Sequence, residues 1–131
     1  MKISTILFAS VLLFTSCHES LEQRAEREAR EYTEKYCPTP TVNYVRTDSI
    51  AFDKATLTYK YFCTFSDRMD NAQLVKQNEN QLRTALLSAL RENTNIKVYK
   101  EAGYKFSYTM YSQKHPSEIL FTATYGPKDY K

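Results

Sequence analysis

The stretch Leu57-Thr58-Tyr59-Lys60-Tyr61-Phe62-Cys63-Thr64-Phe65 decides the fold. Leu57, Tyr59, Tyr61, Cys63 and Phe65 alternate with Thr58, Lys60, Phe62 and Thr64, and a period of two marks a strand with one face turned inward. Its partner lies just upstream. Val42, Tyr44, Ile50 and Phe52 share a face, and a tight turn at Asp53 and Lys54 makes residues 42–52 and 55–65 a β-hairpin. Arg46 and Asp48 interrupt that face as i,i+2 neighbours, which fits a half-exposed sheet with a solvated strand end or a polar contact with something else. Phe62 is the exception inside the alternation: a large aromatic group at a position that parity turns away from the core.

The same pattern returns near the end of the chain. Tyr104, Phe106, Tyr108 and Met110 alternate, and Ile119, Phe121, Ala123 and Tyr125 answer them across a loop from Ser112 to Ser117 that contains Pro116. By the same parity Tyr111 opposes the apolar face of its own strand. Gly126 and Pro127 close this second hairpin, leaving a short polar tail.

Between and before the hairpins the period changes to that of a helix. Leu21, Ala25, Ala29, Tyr32 and Tyr36 form a narrow stripe, and Ser20 with Gln23 has capping-box spacing. The other face carries i,i+4 pairs such as Arg24 with Glu28 and Arg27 with Glu31, each contributing only ~0.2–0.5 kcal/mol, so it reads as a solvated face. Pro38 and Pro40 stop this helix. Residues 67–93 read as one long helix, with Asp70 and Gln73 at its start and Leu74, Asn78, Leu82, Ala85, Leu86, Ala89, Leu90 and Asn93 along one face. The expected fold is therefore α+β and two-layered: a four-stranded antiparallel sheet in the order helix, hairpin, helix, hairpin, an α-β-β unit used twice.

Residues 6–17 set the address. Lys2, an apolar run of about a dozen residues and then small residues before a cysteine follow the layout of a secretory signal, too short to span a bilayer. Leu13-Phe14-Thr15-Ser16-Cys17 resembles the bacterial lipobox, with Phe14 where that family usually has Leu. The resemblance implies cleavage before Cys17 and acyl chains on that residue, which would be the membrane contact. The expected division is a signal peptide at 1–16, a lipidated helix and Pro-containing linker at 17–41, and the α+β domain at 42–131. Lipidation of Cys17 leaves Cys37 and Cys63. In an exported protein these could form a disulfide closing a loop of about 26 residues, worth roughly 3–3.5 kcal/mol in the chain-entropy picture; equally, Cys63 could be a buried free thiol and Cys37 a helix end.

Composition narrows the function mainly by exclusion. Removing Lys2 from 18 basic side chains leaves 17 against 15 acidic, interspersed, a balance that does not point to nucleic acid. Gly103 and Gly126 are the two glycines, so no glycine-rich phosphate cradle exists. The sequence places no Cys, Asp or second His at metal-ligand spacing from His18 or His115, no nucleophile motif occurs, and a strand-centre Cys63 flanked by aromatic groups is expected to be inert. No cofactor, metal site or enzymatic activity is expected. With 11 tyrosines and 7 phenylalanines, the aromatic groups off the inward face, Phe62 and Tyr111, are the candidate binding residues.

Phe14 to Cys17, followed by Glu19 and Glu22, resembles the start of small lipoproteins of Bacteroidetes-type Gram-negative bacteria. That resemblance implies a cell-envelope location, at the outer membrane, on its periplasmic or surface face. The helix-hairpin order is similar to units of PepSY-type and lactamase-inhibitor-type domains, which bind proteins, a likeness of fold alone. The leading expectation is a small non-enzymatic protein-binding module of the envelope, inhibitor-like in character. A structural or assembly lipoprotein, and carbohydrate or small-ligand capture, are the alternatives. An exposed aromatic patch would favour a protein partner and a concave pocket a ligand.

Overall fold

A computed structural model describes residues 18–131; Cys17 and the segment before it lie outside the described residues. The first helix, α1, spans Leu21–Tyr36 and begins with the expected capping box: Gln23 N donates to Ser20 Oγ (3.1 Å) and Ser20 N donates to Gln23 Oε1 (3.0 Å). Its narrow stripe lets the backbone come close to the sheet. Ala25 (0% exposed) and Ala29 (1%) belong to the main core, so α1 is an integral part of the packed unit.

Strands β1 (Val45–Asp53) and β2 (Thr58–Phe65) form the first antiparallel hairpin. The hairpin connection is longer than the two-residue turn the sequence suggests. Ala55 N donates to the Asp53 carboxylate (2.9 Å), and Leu57 adopts φ 53° in the turn, half out of the protein, so it leaves the inward face assigned to it. The second hairpin pairs β3 (Lys105–Ser112) with β4 (Ile119–Tyr125).

The order within the sheet is β1-β2-β3-β4, but the central pair β2–β3 is parallel, in register from Thr58↔Lys105 to Phe65↔Ser112. The sheet is therefore mixed, and the expectation of four antiparallel strands is corrected. The reason is the segment from Ser66 to Tyr104. It carries helices over one face and returns the chain to the end where β2 began, the crossover that parallel neighbours require.

That segment is also not one long helix. A 3₁₀ turn at Asp67–Met69 precedes α2 (Ala72–Gln77) and α3 (Glu79–Glu92). Asn71 caps α2 by accepting from Leu74 N (3.0 Å), while Asp70 is drawn away to the β3–β4 loop: its carboxylate accepts from Ser112 Oγ and from Lys114 N (2.9 Å). Asn78 breaks the helix, its side-chain amide donating to Leu74 O (2.8 Å). The break resets the helical phase, so Val75 is buried while Ala85 and Ala89, expected on the sheet side, face solvent. Leu82, Leu86 and Leu90 do pack on the core.

A 3₁₀ turn at Thr94–Ile96 leads into α4 (Lys97–Glu101), which ends in a Schellman motif: Tyr104 N donates to Tyr99 O and Gly103 N to Lys100 O, with Gly103 at φ 79°. The tail forms a last turn, α5 (Pro127–Tyr130), whose Tyr130 O–H reaches Tyr104 O (2.6 Å). Phe52, Tyr59, Phe65, Tyr99, Phe106, Phe121 and Tyr125 form the aromatic core between the helices and one face of the sheet.

Candidate functional site

Two surfaces offer themselves, one on each side of the sheet. On the helical side, α1 and the segment around Asn93–Tyr99 stand apart and leave a cleft of about 280 Å³ whose walls include Tyr32, Tyr59, Tyr61 and Tyr99. Glu28 sits at its rim, accepting from Tyr99 O–H (2.7 Å) and Arg24 Nε (2.6 Å). Burial pushes the Glu28 carboxyl up, but these two hydrogen bonds more than offset it and hold the group below its ordinary range. Burial, and then the bond to Glu28, raise the Tyr99 hydroxyl; burial pushes Tyr59 up to about 12. Tyr61 stacks on Tyr108 at 4.8 Å between ring centroids. With neutral phenols and a committed carboxylate, the cleft offers aromatic contact area and hydrogen-bond donors rather than a base or nucleophile.

Among the described residues no helix crosses the opposite face. Parity puts Ser49, Ala51, Lys60, Phe62, Thr64, Ser107, Thr109, Tyr111, Thr122 and Thr124 there, as the register confirms: Ser49↔Phe62↔Thr109↔Thr122 and Ala51↔Lys60↔Ser107↔Thr124 lie in rows across the four strands. Phe62 stands beside Thr109, and Tyr111 beside Thr64, so the two aromatic groups are diagonal neighbours on the central strands. Both are half-buried. A bulge between Thr47 and Ser49 swings Asp48 onto this face, where its carboxylate accepts from Arg46 Nε (2.7 Å) and Thr64 Oγ1 (2.5 Å). The interruption of the first strand by Arg46 and Asp48 is thus a polar contact across the sheet. It leaves a charged pair at one end of a surface whose middle is aromatic and whose far rows are threonine. The first helix does not cover this face: Thr33 Oγ1 donates to Ile50 O (2.9 Å) at the β1 edge, and Glu28 reaches Tyr99 on the helical side.

A profile for a domain of unknown function, DUF8479, matches residues 20–121. The chain belongs to that family. No curated protein matches it significantly. Among solved structures, this DUF8479 domain is similar to a candidate secreted protein of Pseudomonas aeruginosa, at 13% identity and a TM-score of 0.71, covering 84% of this chain and 92% of that one. It is also similar to the type 2 secretion system pilotin EpsS of Vibrio vulnificus, at 10% identity and 0.64, covering 84% and 91%. The pilotin AspS of Vibrio cholerae matches at 12% identity and 0.59, covering 82% and 90%. At such identities the likeness is one of fold.

The remaining candidate residues are scattered in the DUF8479 domain. Cys37, half-buried, and Cys63, buried, are both free thiols, and Cys63 Sγ lies 3.8 Å from Thr47 Oγ1. Burial pushes the Cys63 thiol up to about 11, which keeps it protonated and unreactive at neutral pH. Ser112, Asp70 and His115 meet at the β3–β4 loop, but the carboxylate bonds Ser112 directly and His115 contributes its backbone N–H, a structural clasp. Among the described residues no cluster of three or more His, Cys, Asp or Glu could hold a metal ion, and no helix is long and apolar enough to cross a membrane. Sequence reasoning missed the tyrosine cleft, because Tyr32, Tyr59 and Tyr99 come from three separate elements and no spacing links them.

Proposed function

We propose that this protein is a non-enzymatic, envelope-associated module that binds another protein during assembly, held at the outer membrane by acyl chains on Cys17, with Phe62 and Tyr111 at the centre of the contact surface. The observation that carries the reading is the bare face of the sheet. Parallel strand pairs are normally covered on both sides, yet among the described residues helices cover the parallel pair β2–β3 on one side alone. A partner laid over Phe62 and Tyr111 would supply the missing layer, with the Arg46–Asp48 pair at its polar rim. The likeness to two pilotins, named for a secretion system, supports an assembly role, and the lipobox-like Leu13 to Cys17 supports the anchor. The tyrosine-walled cleft favours a second reading, small-ligand capture, but about 280 Å³ is at the lower limit of ordinary ligand pockets.

The test is affinity capture after cross-linking in intact cells with the tagged protein. Phe62→Ala with Tyr111→Ala should lose the captured partner while the folded domain persists, and Cys17→Ser should lose palmitate labelling and membrane association. Retention of the partner by the double variant overturns the assignment of the face.

A further inference from the structure

The two edges of the sheet are treated differently, and the geometry points to the β4 edge as a receiving site for an extended peptide segment of a partner, which adds a fifth strand and seats a side chain in the cleft between β4 and α2. The inference rests on the protein-binding reading above but uses another surface.

Every sheet of four strands has two edges, and unpaired backbone groups along them recruit other strands unless blocked. On β1 the outward positions Val45, Thr47 and Ile50 are closed. Val45 exchanges both backbone hydrogen bonds with Val42 (2.9 and 3.0 Å) across a turn with Asn43 and Tyr44 at positive φ. Thr47 N donates to Thr39 Oγ1 (2.9 Å) and Thr39 N donates to Thr47 O (2.9 Å). Ile50 N donates to Thr33 Oγ1 (2.8 Å), which in turn donates to Ile50 O (2.9 Å). The segment after α1 and a single threonine of α1 thus do the work of a covering strand.

β4 has no such cover. Lys105 N donates to Leu57 O and Gln113 N to Phe65 O, so odd-numbered residues of β3 face β2 and even-numbered ones face β4. Their partners Phe121, Ala123 and Tyr125 therefore point their backbone groups inward, and those of Thr122 and Thr124 point out. Among the described residues the one partner on that side is Arg83, whose Nη2 donates to Thr122 O at a long 3.4 Å. The strand Ile119-Leu120-Phe121-Thr122-Ala123-Thr124-Tyr125 also contains no charge and no proline, the two usual means of blunting an edge.

A cleft of about 370 Å³ runs beside this edge, between Ile119–Thr122 and the α2 residues Ala72, Val75 and Lys76. Val75 at its base is fully buried and offers no surface of its own, so the apolar contact the cleft presents is Ile119, 53% exposed at its mouth. These features define the occupant. Only an extended backbone presents N–H and C=O groups at the two-residue repeat of Thr122 and Thr124; a helix has already used its own. Alternate side chains of an added strand turn toward the cleft, where an aliphatic group would meet the exposed Ile119. The rim carries Lys76 and Glu79, the latter paired with Arg83 Nη2 at 3.5 Å. The partner segment is an extended one with aliphatic residues at alternate positions.

The experiment is amide hydrogen exchange by NMR on the folded domain, with the synthetic peptide KTVTVTVTK as probe. Saturating peptide should slow exchange of the Thr122 and Thr124 amides about tenfold while leaving Thr47 and Ile50 unchanged, and Thr122→Lys should abolish the effect with an unaltered spectrum elsewhere. No protection, or protection along β1 instead, overturns the inference. Protection already present without peptide and rising with protein concentration assigns the edge to a second copy of the chain and overturns it as well. The open-face reading is judged separately: Phe62→Ala should leave peptide protection intact, and loss of cellular capture in that variant alone assigns capture to the face, not the edge.

Discussion

On the helix-covered face of the sheet, Phe52, Tyr59, Phe65, Phe106, Met110, Phe121 and Tyr125 are buried; on the opposite face the same strands carry Lys60, Phe62, Thr64, Thr109, Tyr111 and Thr122. One backbone therefore supports an aromatic core and a mixed polar surface, separated only by parity. The polar side is not uniformly wet. Thr64 is 7% exposed with no helix of the described residues above it, shielded by its neighbours and tied to Asp48, and Phe62 and Tyr111 are half-buried. The comparison teaches that burial of an aromatic group by neighbours within a sheet differs in kind from burial by a second layer: truncation removes far fewer contacts in the first case.

That difference can be broken by substitution. Phe106→Ala removes a fully buried ring at the centre of the covered face and should cost about 3–5 kcal/mol, read as a lower midpoint in denaturant titration; a loss under about 1 kcal/mol would mean the face is loosely packed.

The next effect is alkaline. Burial pushes Tyr59 and Tyr104 up to about 12 and raises Tyr61, Tyr99 and Tyr108 as well. Groups with raised folded pKa values contribute stability that is complete below the unfolded tyrosine value of about 10 and lost as pH rises through the folded value. Stability should fall between about pH 10 and 12, by on the order of 2 kcal/mol for Tyr59 alone, with tyrosinate absorbance appearing together with unfolding. Tyrosinate appearing at pH 10 without unfolding would place these rings in water.

Smaller still, Tyr99→Phe keeps the ring but removes its bond to Glu28, and should cost about 1 kcal/mol, because Arg24 still partners the carboxylate. Smallest are Phe62→Ala and Tyr111→Ala, each expected below about 1 kcal/mol; if both cost about 3 kcal/mol, the open face is a second core and the comparison collapses.

Much of this arrangement can be read from residue order. Strict alternation in Tyr59–Phe65 and in Tyr104–Met110 assigns inward and outward sides, and Ser20 with Gln23 marks the start of α1. Phe62 and Tyr111 are placed on the outward side by counting alone. The parallel pairing of β2 and β3 is not legible, because side-chain period is the same in both directions and nothing local states at which end a crossover returns. Nor is the break at Asn78, where one side-chain amide competes with the backbone in an otherwise helical pattern, or the departure of Asp70 from its capping position to a loop far along the chain. The tyrosine cleft and the closed β1 edge are equally silent, since both join groups distant in sequence, Tyr32 with Tyr99 and Thr33 with Ile50.

The central claim, that the uncovered face is where a partner sits, is tested most directly by a photo-cross-linking amino acid placed at Phe62, at Tyr111 and, on the exposed back of α3, at Ala85, in living cells. The account predicts one cross-linked envelope protein from the first two positions and none from Ala85. Cross-links to that protein from Ala85, with Phe62 and Tyr111 silent, would contradict it.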